Sequence, residues 1–336
     1  MGTYRPLLAV TMGDPTGAGP EIVVKALAMP EIRDMCRGLV IGDAQAMQAA
    51  AEIVNIPMEI NTVASPDEMQ NGERILNVLD LKNVDMATLV RGRVDARAGK
   101  AAYEAIEKGT LLTIERKTDA IVTAPLNKDA LNQAGYHFPG HTQILAHLCG
   151  VEDAVMMLTA DALRIVHVST HVALRDACDQ VTKERVLRVM QLGEAAVRMM
   201  GIAEPRIVVP GLNPHSGEGG LFGDEEAEAI IPAIEEAQSL GMNVRGPLPP
   251  DTAFLRAYRG EFDLVIAMYH DQGHIPIKMV GFEKGVNTTL GLPIIRTSVD
   301  HGTVFGKAGK GTADPTSMVE AIKLASVMCR TLKQAG

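Results

Sequence analysis

The sequence predicts an α/β protein of two lobes, each a largely parallel sheet flanked by helices. Three observations carry this. Short apolar runs rich in β-branched residues recur along the chain, as strands buried on both faces require. Helix-length stretches with apolar residues three and four apart separate many of them, which is the βαβ pattern. The chain also has 336 residues, beyond the roughly 250 to 300 at which single cores tend to split.

The first run, 7–12 (LLAVTM), leads into the Gly/Pro loop GDPTGAGP and a helix beginning near Pro20 and Glu21. Glycines there allow close backbone approach and a helix N-terminus offers free N–H groups to an anion. The spacing is neither GxGxxG nor a P-loop, so a plain βα turn explains it equally well. Further strands are expected at 38–42, 120–125, 154–158, 164–169, 206–211 and 263–269, with helices at 99–116, 182–200, 224–240 and 314–333. Breakers cluster at 136–142 (YHFPGHT) and 291–302 (GLPIIRTSVDHG). If the chain crosses between lobes there, residues 1–138 plus 297–336 form one lobe and 139–296 the other. Active sites in such proteins lie in the cleft between the lobes, at the carboxyl ends of strands.

A net charge of −9 without any Lys/Arg block disfavours a nucleic-acid or anionic-membrane surface. An anionic substrate must therefore meet a local basic pocket. No apolar run approaches the roughly 18 to 20 residues of a membrane span, and the start lacks a basic segment followed by an apolar one, so a cytoplasmic protein is expected. Cys36, Cys149, Cys178 and Cys329 are scattered and form no CxxC pair, the pattern of reduced thiols.

Three histidines sit just after apolar runs: His171 in STHVALRD, His215 in GLNPHSGEGG and His270 in AMYHDQGHIPIK. A single histidine in such a place is more often a hydrogen-bonded structural residue; three with polar and glycine neighbours suggest ligands of a divalent metal with open positions for substrate. Zn, Co and Mn all suit imidazole. Asp271 and Asp176 could orient the rings or serve as solvated charges. His167, inside IVHVST, and His147, in QILAHLCG, read as core residues or as partners that steady a ligand from behind. A second, cationic and polar set comprises Lys278, Asn287, Arg296, Lys128 and the pair His141 and Thr142. Arg296 could grip a carboxylate or phosphate, and Thr142 could cap a helix beside a bound oxyanion; a surface salt bridge and a plain cap are the competing explanations. The Gly-rich stretch 298–317 has the length to wrap an extended ligand such as a dinucleotide.

Taken together, GDPTGAGPE, TAPLNK, PGHT, STHVALRD, NPHSGEGG, YHDQG, GVNTTLGLPIIRTSVDHGT and AGKGTAD, spread over residues 12–314, resemble the 4-hydroxythreonine-4-phosphate dehydrogenase family. The resemblance implies the two-lobed isocitrate/isopropylmalate dehydrogenase-like fold and an obligate homodimer whose active site is shared between subunits. It implies NAD- or NADP-dependent oxidation of a secondary alcohol in a phosphorylated four-carbon acid, followed by loss of carbon dioxide from the 3-oxo acid. On it, His171, His215 and His270 hold one divalent metal (Zn, Co, Mn or Mg), with ligands from both subunits. His141, Thr142, Lys278, Asn287 and Arg296 contact substrate, and Lys278 is the candidate general acid/base. His301, Gly302, Thr303 and Asp314 fall on the dinucleotide loop, where VFGKAGKG and Asp314 depart from the pattern of the related β-decarboxylating dehydrogenases. The segments YHDQGHIPIK and GPLPPDTAFL look like the D-threonate or D-erythronate 4-phosphate branch. The vitamin B6 biosynthetic enzyme proper is the alternative; an acyl-phosphate transferase and a non-catalytic metabolite-binding protein are the rivals from other classes.

Overall fold

The computed structural model describes residues 4–335. Twelve strands run in chain order: β1 (Leu7–Thr11), β2 (Arg37–Gly42), β3 (Glu59–Val63), β4 (Ile75–Asp80), β5 (Ala120–Thr123), β6 (Val155–Ala160), β7 (Leu163–His167), β8 (Ile207–Pro210), β9 (Val244–Leu248), β10 (Leu264–Ala267), β11 (Val286–Leu290) and β12 (Ile295–Val299). The chain divides into two compact units, one of residues up to Ala154 with those from Leu292 onward, the other Val155–Gly291. The breaks thus fall later than 138/139 and earlier than 296/297. Helix His141–Cys149 stays with the first unit because Ile144 and Leu145 pack with Tyr103, Ile106 and Leu131 in one buried cluster.

In the first unit the strand order is β3-β4-β2-β1-β5-β12, parallel throughout. Helix Ala96–Ile114 starts where Asp95 accepts from the Arg97 amide at 2.8 Å. Its Gly99 is required by packing: a Cβ there would sit 2.2 Å from the Ala130 backbone, so only glycine lets this helix lie against Lys128–Gln133.

In the second unit the order is β11-β6-β7-β10-β8-β9. Strands β7, β10, β8 and β9 are parallel, while β6 pairs antiparallel with both β7 and β11. The reversal has a local cause: only Asp161 and Ala162 separate β6 from β7, with Asp161 at φ +48°, and so short a link can join only antiparallel strands. Along β10, Leu264 and Ile266 face helices Lys183–Met199 and Ile231–Ser239, whereas Val265 and Ala267 face Phe254, Ala257 and Ile277. Burial on both faces is why this strand reads as an unbroken apolar run. No described helix is long and apolar enough to cross a membrane.

Candidate active site

In the second unit the geometry follows from register. β7 and β10 are parallel neighbours with Ala267 opposite His167, so both chains leave the sheet at the same edge. The segments after them carry His171 and His270, whose ring centroids lie 5.7 Å apart. Beside them opens a cavity of about 330 Å³ lined by Thr170, His171, Val172, Leu174, Tyr269, His270 and Asp271. Asp271 Oδ1 lies 2.7 Å from His270 Nδ1. That contact places the proton on Nδ1 and leaves Nε2 with a free lone pair, the form in which imidazole ligates metals. Asp176 is exposed on helix Leu174–Asp179.

His270 opens helix His270–Gly281. One turn on, His274 stacks on it at 3.6 Å between centroids and 11° between planes. His274 Nδ1 is 3.0 Å from the His270 carbonyl oxygen, which can only accept, and 3.1 Å from His167 Nε2. One proton on His274 Nδ1 serves both acceptors. His167 is buried, and burial together with the neighbouring imidazoles pushes its pKa down to about 3. His167 is thus a core residue whose Nε2 also steadies His274. Gly273 makes the approach possible, since a Cβ there would fall 2.4 Å from His167 Nε2.

His167 has a consequence for stability. Its folded pKa lies below the unfolded value near 6.5, so the unfolded chain binds more protons as the medium acidifies. Its contribution is complete above pH 6.5 and is lost progressively as pH falls toward 3. At pH 5 we expect a loss of about 2 kcal/mol from this residue. Urea titrations of wild type and His167→Phe at pH 7 and pH 5 will check it; an equal pH dependence in both would contradict it.

His215 is not brought to the other two histidines. Among the described residues no set of three or more His, Cys, Asp or Glu is disposed to hold a metal. The His215 ring neighbours Phe222, 6.4 Å away, and is exposed on a loop after β8. Gln272, which drew no notice in the sequence, ties this region to the His270 helix: buried, it accepts from the Met268 amide at 2.7 Å and donates to the Gly211 carbonyl at 2.8 Å. Lys278 lies two turns beyond His270, its Nζ 5.2 Å from the Phe282 ring centre. Asn287 is on β11 opposite Leu158.

The first unit carries the remaining polar candidates. Arg296 on β12 is 2% exposed, and its Nε and Nη2 donate to Thr123 Oγ1 at 3.2 and 2.8 Å. Burial lowers its pKa to about 9, which leaves it charged at neutral pH. His141 begins helix His141–Cys149, its Nε2 enclosed. Burial, then the cations Arg296 and Lys128, hold it well below the ordinary histidine range, so it is neutral. A buried guanidinium, Lys128 and a neutral imidazole form a locally positive surround suited to an anion. Thr142 does not cap: Gly140 holds the N-cap position and no side chain bonds the first turn.

The loop after β1 is a structural turn. Asp14 Oδ1 accepts from Thr16 N and Oγ1 at 2.8 and 2.6 Å, and the Ala18 amide is spent on the Thr303 carbonyl at 2.9 Å. Residues 11–24 are buried, so the N-terminus of helix Gly19–Ala28 is closed to ligands. That helix instead fastens the Gly-rich loop. Glu21 accepts from the Gly309 and Gly311 amides at 2.6 and 2.9 Å, and Lys25 donates to the Gly311 and Ala313 carbonyls, both at 2.7 Å. Thr303 is buried against Gly17. Asp314 accepts from Thr316 N and Oγ1 at 2.9 and 2.6 Å, at the start of helix Thr316–Ala335, and those bonds lower its pKa. His301 Nδ1 lies 2.9 Å from the Gly302 carbonyl. Of this set, His301 is half-buried and Gly302 is exposed.

A family model described as Pyridoxal phosphate biosynthetic protein PdxA matches residues 34–325. A D-threonate 4-phosphate dehydrogenase of Cupriavidus necator is 49% identical over 324 residues, covering 96% of this chain and 97% of that one. A 4-hydroxythreonine-4-phosphate dehydrogenase of Trichlorobacter lovleyi is 46% identical over 335 residues, covering 98% and 100%. The crystal structure of a 4-hydroxythreonine-4-phosphate dehydrogenase from Burkholderia phymatum superposes with a TM-score of 0.86 at 48% identity, covering 97% of this chain and 98% of that one.

Proposed function

The chain belongs to the pyridoxal phosphate biosynthetic protein PdxA family, and from that premise we propose that it oxidises the secondary alcohol of D-threonate 4-phosphate or D-erythronate 4-phosphate with NAD or NADP and releases carbon dioxide from the 3-oxo acid. The observation that carries the chemistry is the His171 and His270 pair beside the cavity at the shared end of β7 and β10. The donor set fits a divalent metal: two neutral-capable imidazoles, one oriented by a carboxylate. His171, His270 and a His215 from a second copy would hold Zn, Co, Mn or Mg, which when bound supplies Lewis acidity toward a hydroxyl and then a ketone. His301 and the loop that follows it would hold the nicotinamide, which when bound would supply a hydride acceptor.

The chain's own residues divide the other tasks. Arg296 anchors the anionic group together with His141, which lies close enough to feel its charge, and Thr142, the next residue in the chain after His141. Asn287 orients the substrate through its amide. Lys278 moves the proton at Nζ, taking it from the hydroxyl and later returning one to the carbanion. The homodimer is supported by large apolar side chains left in water on the unit that carries the three histidines. Ile275, Met279 and Phe282 form one stripe of the His270 helix, with Met279 81% exposed, and Leu221 and Phe222 follow His215 in sequence, Leu221 being 72% exposed.

The test is a turnover comparison with metal supplied. Reduction of the nicotinamide should be fastest with D-threonate or D-erythronate 4-phosphate. A preference for 4-hydroxy-L-threonine 4-phosphate would assign the vitamin B6 reaction instead, and silence with all three would refute the proposal.

A further inference from the structure

Between β8 and helix Ile231–Ser239 the backbone takes a course that L-residues avoid. His215 (φ +53°, ψ +22°), Ser216 (+58°, +45°) and Glu218 (+46°, +48°) all occupy the left-handed region, with Gly217 at φ +79° between them. Outside glycine such conformations occur as single residues, because the Cβ crowds the following carbonyl. A run of this kind persists only where its surroundings over-determine it. Within the turn the Ser216 amide donates to the Asn213 carbonyl at 3.1 Å, while the Ser216 hydroxyl is buried without a hydrogen-bond partner and adds nothing to it.

The holding group is Glu226, 4% exposed, on a single π-helical turn Glu226–Ile230. Its Oε1 accepts from the Asn213 amide at 2.8 Å and its Oε2 from Asn213 Nδ2 at 2.9 Å. The same carboxylate lies against Gly211 and Gly217, where a Cβ would come within 2.8 Å of its oxygens. It thus touches the turn before and after His215. Glu225 Oε2 takes the other Nδ2 proton of Asn213 at 2.6 Å, and Gln272 fixes the Gly211 carbonyl.

We infer that Glu226 is the positioning residue for His215: its buried carboxylate locks Asn213–Glu218 into the left-handed turn and thereby presents the His215 imidazole to the metal site. The inference rests on the reading of His215 as a metal ligand and goes beyond it, since no resemblance or ring contact assigns Glu226 a role. A carboxylate is required because two donors converge on it; a glutamine would meet one of them with its own N–H₂.

Metal affinity of the full-length protein, measured by chelator competition with Zn²⁺ and Mn²⁺, tests this together with hydrogen exchange across 213–218. Glu226→Gln should weaken binding by about 10- to 100-fold, the range for groups that orient a ligand, and speed exchange in the turn. Adding Ser216→Gly to that variant should restore much of the affinity, because glycine adopts φ +58° without strain and the lost hydroxyl has no partner. Unchanged affinity in Glu226→Gln would overturn the inference, as would a loss that Ser216→Gly does not relieve. Wild-type affinity in His215→Ala would instead remove the ligand reading beneath it. If Glu226→Gln does not fold, Asn213→Ala releases the same anchor from the other side and is judged by the same outcomes.

Discussion

Replacing His215 by alanine should abolish tight metal binding and reduce turnover by at least about a hundredfold while the fold survives. The ring is exposed and neighbours Phe222, so its removal opens no cavity in the core, and surface substitutions away from special features usually change stability by less than about 0.5 kcal/mol. On the proposed ligand set a divalent ion would be left with two imidazoles instead of three, and would lose affinity and geometry together. Metal content after gel filtration, thermal melting of the metal-free protein and turnover under saturating metal separate the two effects. Retained metal and activity would return His215 to the status of a loop residue.

Arg296→Met should separate stability from substrate capture. The guanidinium is 2% exposed, and its Nε and Nη2 donate to the Thr123 hydroxyl. Taking a cation out of water is costly, and a methionine of similar length fills the space without that desolvation cost. Thr123 keeps its 2.9 Å bond to Ser298 Oγ. A charge-assisted anchor is worth about 1.5 to 3 kcal/mol, so kcat/KM for the phosphorylated acid should fall by roughly 10- to 150-fold, chiefly through KM, while the melting temperature holds or rises. A lower melting temperature with unchanged kinetics would make Arg296 a structural residue.

What could be read from the sequence follows the physics of burial. Strands covered on both faces, such as β1, β10 and β5, announce themselves as apolar runs. β3, with exposed Glu59 at the sheet edge, and β9, with Arg245 and Pro247, do not, because an edge strand keeps polar residues in water. The β6–β7 reversal was hidden for another reason: apolar runs do not encode strand direction, and only the two-residue link does. Among the site residues, His171 and His270 could be found because loop histidines after strands stand out against apolar neighbours. His274 shares a helical face with His270 at a spacing of four, a signal that was present. Glu21, Lys25, Gln272 and Glu226 could not be found this way. Each is a polar side chain whose partner is a distant backbone amide or carbonyl, and no local pattern records such a partner.

The discontinuity of the first unit bears on how the protein is made. While the ribosome is still adding residues 155–291, β5 has no neighbour on the side that β12 will fill, and Glu21 and Lys25 have no glycine loop to grasp. The second unit, one uninterrupted stretch of chain, can finish first, whereas the nascent first unit waits with a bare sheet edge of the kind that recruits foreign strands. Truncation before Ile295 should therefore yield a product that aggregates during synthesis, and chaperone demand should fall only when the last helix has left the exit tunnel.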